Sequence, residues 1–122
     1  MNPSMRALIV DDDVNVAKIM RRYLTAWGWE TDVSTTVADA IMLFKEGRYD
    51  LALCDVDLPD GDGISLASVF LGALPSLPVI IASGDPKNLE RAQEAGFSRC
   101  LEKPFSLENL QALLEEALKG RL

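Results

Sequence analysis

Residues 51–63 read Leu-Ala-Leu-Cys-Asp-Val-Asp-Leu-Pro-Asp-Gly-Asp-Gly. Four apolar residues, Leu51 to Cys54, run straight into the aspartates Asp55, Asp57, Asp60 and Asp62. A short apolar run without polar alternation, closed by turn residues, is the pattern of a strand buried on both faces. Strands of that kind sit in parallel sheets covered by helices, so this stretch alone points to an α/β fold. It also poses a problem. Crowded carboxylates repel one another, and a chain gains little from massing them where a buried strand reaches water.

The flanking sequence repeats the same unit. Ala7-Leu8-Ile9-Val10 predicts a buried strand, followed by Val16, Ile19, Met20, Tyr23, Leu24 and Trp27 at helical spacing and a stop at Gly28. A second strand is expected over 30–34. A helix then opens with a capping box at Thr36-Val37-Ala38-Asp39, turns Val37, Ala40, Ile41 and Phe44 inward and ends at Gly47. After the 51–54 strand comes a short helix over 64–72 and a fourth strand over 78–82. Asp85-Pro86 gives an N-cap followed by proline at the first helical position, with that helix running to about Ala95. A fifth strand is expected over 98–101. Ser106 caps a last helix with Leu107, Leu110, Leu114, Ala117 and Leu118 inward. Asp60, Gly61, Asp62 and Gly63 read as turn and capping residues.

Five successive βα units with apolar strands predict a flavodoxin-like, open, doubly wound sheet. Right-handed crossovers leave a few topologies open, and of these the expected one has five parallel strands in the order 2-1-3-4-5 with helices on both faces, a three-layer αβα architecture. Length, 122 residues, is that of one domain, here 1–122, and 48% hydrophobic content is enough for a core. The net charge of −7 argues against direct binding to nucleic acid or to an anionic membrane. No apolar run is long enough to span a bilayer, and the stretch from Met1 to Arg6 does not introduce a signal peptide. The expected compartment is the cytoplasm, where Cys54 and Cys100 stay unpaired as small buried residues. The chain contains no histidine, which excludes histidine-based catalysis and rules the chain out as its own histidine phosphodonor.

Ligands in such sheets bind outside the carboxyl ends of the strands, where the strand order reverses. Asp11, Asp12 and Asp13 follow the first strand, Asp55 the third, Ser83 the fourth and Lys103 the fifth. Oxygen ligands with access to water suit Mg²⁺, which binds through one or two carboxylates plus phosphate oxygens. That combination resolves the crowding of acids. With charge neutralised by a metal and by Lys103, one carboxylate can attack a phosphoryl group to give an aspartyl phosphate, while the Ser83 hydroxyl donates to a phosphoryl oxygen.

The acid pair in LIVDDD, the CDVDLPDGDG segment, VIIASGD and LEKPF together resemble the receiver domain of bacterial two-component response regulators over nearly the whole chain. The resemblance implies the strand order given above. It also implies Asp55 as phosphoacceptor, and Asp12, Asp55 and the Asp57 backbone carbonyl as Mg²⁺ ligands, with Asp11 acting through a water. It implies a cis Lys103–Pro104 bond, catalytic roles for Ser83 and Lys103, and a histidine kinase or histidine phosphotransfer protein as donor. A phosphorylation-dependent homodimer is a further expectation of that kind. Such a domain is a signalling phosphoacceptor, not an enzyme acting on other substrates. The downstream partner is not legible.

Three positions depart from the family. Cys100 stands where an aromatic switch residue is usual, so the switch reduces to Ser83 and Cys100, and the signal is expected to leave through the Ser83-Gly84-Asp85 loop and the helix after Pro86. Asp57 and Asp85 are acidic at positions that tend to set the lifetime of the phosphoryl group. The chain ends after one final helix, with no output domain in view. Lys18, Arg21 and Arg22 read either as a solvated helix face or as a contact for the phosphodonor, and Asp13 either as a helix cap or as a member of the acid cluster. Two other readings of the whole remain: a degenerate receiver that binds partners without phosphorylation, and a small phosphatase using Asp55-Val56-Asp57 as its nucleophile pair. The latter family needs a longer chain and places its nucleophile after the first strand.

Overall fold

The computed structural model describes residues 5–119; residues 1–4 of the N-terminal stretch discussed above lie outside it. Its elements are β1 (Arg6–Val10), α1 (Val14–Ala26), β2 (Glu30–Ser34), α2 (Val37–Glu46), β3 (Leu51–Asp55), β4 (Asp57–Leu58), β5 (Gly61–Asp62), α3 (Gly63–Ala73), β6 (Val79–Ser83), α4 (Pro86–Glu94), β7 (Cys100–Glu102) and α5 (Leu107–Ala117). The main sheet has the order β2-β1-β3-β6-β7, with every pairing parallel. Once the small β4–β5 hairpin is set aside, this is the expected 2-1-3-4-5 order.

Side chains along each strand alternate between two cores. Ala7, Ile9, Leu51, Leu53, Ile80 and Ala82 pack beneath α1 and α5, with Met20, Leu24, Leu110 and Leu114. Leu8, Val10, Ala52, Cys54, Val79 and Ile81 pack against α2, α3 and α4, with Ala40, Phe70 and Ala92. Because both faces are covered, the strands carry no polar alternation, and this is why they are legible as apolar runs. The cores hold the central strands rigidly, and the residues at their carboxyl ends inherit that rigidity.

Helix starts follow the expected caps. Asp13 accepts from the Asn15 and Val16 amides, Thr36 from Asp39, Asp85 from Lys87 with Pro86 behind it, and Ser106 from Asn109. Gly28, at φ +86°, provides the left-handed residue that ends α1. Asp62 caps α3 through Ser65. Asp60 caps an element distant in sequence: its carboxylate accepts from the Val37 and Ala38 amides at 2.7 and 3.0 Å, joining the hairpin to the start of α2.

Several boundaries and orientations differ from the sequence reading. β3 extends to Asp55 and β6 to Ser83. β7 spans Cys100–Glu102 where 98–101 was expected: the bonds that flank it are Ile81 N–H to Arg99 O and Lys103 N–H to Ser83 O, both 2.9 Å, which shifts the ladder toward Lys103. Residues 57–62 form an antiparallel hairpin as well as a turn. Two apolar residues lie outside the core: Leu107, expected to face inward, is 53% exposed, and Ile19, at helical spacing with the core residues of α1, is 46% exposed. Cys100 is half-buried where full burial was expected, whereas Cys54 is fully buried.

Candidate functional site

β1, β3, β6 and β7 end on one edge of the sheet and bring their last residues together. Asp11, only 1% exposed, directs one carboxylate oxygen to the Asp13 amide at 2.9 Å and the other to Lys103 Nζ at 2.7 Å. The same ammonium lies 3.3 Å from Asp55 Oδ1. Asp12 is exposed beside them, and carboxylate oxygens of Asp11, Asp12 and Asp55 all lie within 4.8 Å of one another. Asp11, Asp12, Asp55 and Lys103 are therefore brought together as expected from the sequence. Asp13 is the helix cap, not a member of the cluster. The Lys103–Pro104 peptide is cis.

The electrostatics follow from that packing. Burial pushes the Asp55 carboxyl up to about 6, repulsion from Asp11 adds to the rise, and Lys103 offsets only part of it. At Lys103, burial opposes the charge, but hydrogen bonds to and attraction from Asp11 and Asp55 outweigh it, and the ammonium is held above its usual value. Three carboxylates facing one ammonium leave two negative charges without a partner in the cluster. The donor set is all oxygen, with one exposed carboxylate open to water, which fits a hard divalent cation that keeps part of its hydration shell. Asp11, Asp12 and Asp55 are the side chains that would hold such an ion.

Ser83 is buried at the end of β6, one ladder step from Asp55, which pairs with Ala82. Its Oγ accepts from the Asp85 amide at 3.1 Å and from Asn88 Nδ2 at 3.3 Å. Asp57 opens the hairpin, and its carboxylate accepts from the same Asn88 amide group at 3.0 Å. Asp85 is exposed, with its carboxylate on the Lys87 amide. The Cys100 Sγ lies 3.4 Å from Phe97 O and 3.9 Å from Leu89 O, and burial pushes its thiol pKa up. Cys54 is pushed up to about 12 by burial, which leaves it a packing residue.

Two residues of the site are not apparent from the sequence. Gly63 donates its amide to Val56 O at 2.8 Å, and a Cβ built on it would stand 1.8 Å from the Asp55 carbonyl oxygen. The hairpin can close against the acid cluster only over a residue without a side chain. Asn88 on α4 is the other; its partners Asp57 and Ser83 are 31 and 5 residues away, so no local pattern marks it. Beside Lys103 a groove of about 560 Å³ runs between α1 and the segment before α5, lined by Val16, Ile19, Tyr23, Phe105 and Leu107 among others. The exposed Ile19 and Leu107 sit in it.

Comparison with known proteins agrees with this geometry. The family model described as the response regulator receiver domain matches residues 7–115. The transcriptional regulatory protein ZraR of Escherichia coli is 35% identical over 114 residues, which cover 91% of this chain and 26% of that protein. The transcription factor SKN7 of Candida albicans is 31% identical, with 96% of this chain and 21% of that protein covered. The chain thus spans about a quarter of the length of these curated relatives. A CheY-like receiver domain protein from Methanospirillum hungatei superposes with a TM-score of 0.87 at 26% identity, covering 97% of this chain and 96% of that one.

Proposed function

The chain belongs to the response regulator receiver domain family of two-component signalling, and from that premise we propose that Asp55 is its phosphoacceptor. The observation that carries the reading is the convergence of Asp11, Asp12 and Asp55 on the Lys103 ammonium at the carboxyl edge of the sheet. An Asp55 carboxylate oxygen attacks phosphorus; the bond from phosphorus to the donor's histidine nitrogen breaks as the aspartyl oxygen–phosphorus bond forms. Lys103, already 3.3 Å from Asp55, follows the developing charge on the phosphoryl oxygens. Ser83 donates its hydroxyl to one of them. Asp12, Asp55 and the Asp57 backbone carbonyl, with Asp11 beside them, would hold Mg²⁺, which would supply charge neutralisation and alignment of the phosphoryl group. Asp57 and Asp85 set how long the phosphoryl group survives.

The donor is a histidine kinase or histidine phosphotransfer protein. The groove beside Lys103 offers it an apolar seat, with Arg22 in its lining and Lys18 and Arg21 on the same helix as a basic margin. Residues 1–122 act as one receiver unit, and the signal leaves through the 83–85 loop and α4. Incubation with Mg²⁺ and acetyl phosphate tests the reading by intact mass. One phosphoryl group is expected on the parent chain, none on Asp55→Asn and a much slower gain on Asp12→Asn. A parent chain that takes up no phosphoryl group would overturn it.

A further inference from the structure

Asn88 lies on the first turn of α4, outside the acid cluster, and is nevertheless 9% exposed with every polar atom engaged. Its Nδ2 donates to Asp57 Oδ2 at 3.0 Å and to Ser83 Oγ at 3.3 Å, while its Oδ1 accepts from Arg91 at 3.1 Å. Arg91 in turn reaches Asp62 at 3.4 Å. The orientation of the amide follows from its partners: a carboxylate can only accept and a guanidinium can only donate, so nitrogen must face Asp57 and oxygen must face Arg91.

The consequence falls on Ser83. A hydroxyl oxygen has two lone pairs, and at Ser83 Oγ these take the Asp85 amide and the Asn88 amide. With both acceptor positions filled, the hydroxyl hydrogen can only point along the remaining direction, and among the described residues no acceptor takes it. We propose that Asn88 is a positioning residue for phosphoryl transfer: it fills an acceptor site of Ser83 so that the hydroxyl hydrogen stays available to the phosphoryl group, and it anchors the Asp57 carboxylate beside that group. This inference rests on the reading of Asp55 as phosphoacceptor and of Ser83 as donor to the phosphoryl oxygen. It also makes α4 sense the site, because any movement of Ser83 toward the phosphoryl group breaks the hydrogen bond that its first turn makes.

Asn88→Asp is the direct variant, and because it also sets a carboxylate against Asp57, a swapped pair with Asp57→Asn completes the test. It keeps the shape and removes the donor, so Ser83 turns its hydrogen toward the new carboxylate and away from the pocket. Phosphorylation by acetyl phosphate at saturating Mg²⁺ slows by about tenfold, the size one misdirected hydrogen bond produces in a barrier. In a background carrying both Ser83→Ala and Asp57→Asn, where neither the hydroxyl nor the opposing carboxylate remains, the same substitution changes the rate less than twofold. The swapped pair Asp57→Asn with Asn88→Asp restores a hydrogen bond between the two side chains and recovers the melting temperature, but stays about tenfold slower than Asp57→Asn alone. That comparison carries the test if Asn88→Asp alone does not fold. A rate equal to the parent's in Asn88→Asp, an equal slowing with and without Ser83, or recovery of the rate in the swapped pair would overturn the positioning role. Each of these outcomes leaves the phosphoacceptor reading standing. A parent chain that takes no phosphoryl group fails that reading before Asn88 is tested.

Discussion

Asp55→Asn is expected to stabilise the metal-free fold, although it removes the residue on which the site depends. Folding lifts the Asp55 carboxyl from 3.8 to about 6, by burial and by repulsion from Asp11 that Lys103 only partly offsets. The folded chain therefore holds this proton more tightly than the unfolded chain, and stability falls as pH rises from about 4 to about 6. Above that window the whole penalty applies. At about 1.4 kcal/mol per pH unit, a shift of about two units corresponds to about 3 kcal/mol. Relaxation and water entry around a carboxylate with an open neighbour in Asp12 reduce this to about 2 kcal/mol. Asparagine keeps the shape without the charge. In EDTA at pH 7.5, urea unfolding should show Asp55→Asn more stable than the parent by about 2 kcal/mol. The difference should vanish near pH 4 and shrink in millimolar Mg²⁺, which stabilises the parent more than the variant. A variant no more stable than the parent at pH 7.5, or a gain that persists at pH 4, would refute the claim that Asp55 is held ionised against its surroundings.

Other consequences are equally direct. Gly63→Ala would set a Cβ 1.8 Å from the Asp55 carbonyl oxygen, a clash with backbone that no rotamer relieves, and should cost about 3 kcal/mol or more in chemical denaturation. Lys103→Met leaves the Asp11 charge, 1% exposed, without its cation, and should destabilise the metal-free fold by about 3 kcal/mol, with part of the loss restored by Mg²⁺ in a thermal melt. Phosphorylation should change amide hydrogen exchange across residues 83–95 and leave the β7 strand that carries Cys100 quiet. Ser83→Ala should abolish that change and Cys100→Ala should preserve it, because a half-buried thiol shifts too little apolar area to bias the equilibrium.

What could be read from the sequence, and what could not, divides along physical lines. The strands were legible because both faces of the sheet are covered, so Ala7 to Val10 and Val79 to Ala82 carry no polar residue at all. Caps at Thr36, Asp85 and Ser106 were legible because each acts within three residues of itself. Asp60 reads as a turn residue, and its second role, capping α2 from 22 or 23 residues away, has no local signature. Ile19 and Leu107 have the spacing of core residues, but they line a groove between two elements and remain exposed. Helical periodicity shows which side of a helix is apolar but not whether a neighbour covers all of it. The acid cluster and Lys103 could be assembled from the strand order together with the CDVDLPDGDG and LEKPF motifs and the resemblance they carry. Asn88 could not, because an asparagine in the first turn of a helix is unremarkable until the fold places Asp57 and Ser83 against it.

The central claim is that the carboxyl group of Asp55 carries the phosphoryl group. Borohydride reduces an acyl phosphate to an alcohol with release of phosphate, converting a phosphorylated aspartate into homoserine and leaving free carboxylates untouched. Applied after incubation with acetyl phosphate and Mg²⁺ and followed by peptide mass spectrometry, it should place homoserine at position 55 and nowhere else. Homoserine at position 11, 12 or 57 in place of 55 would contradict the account.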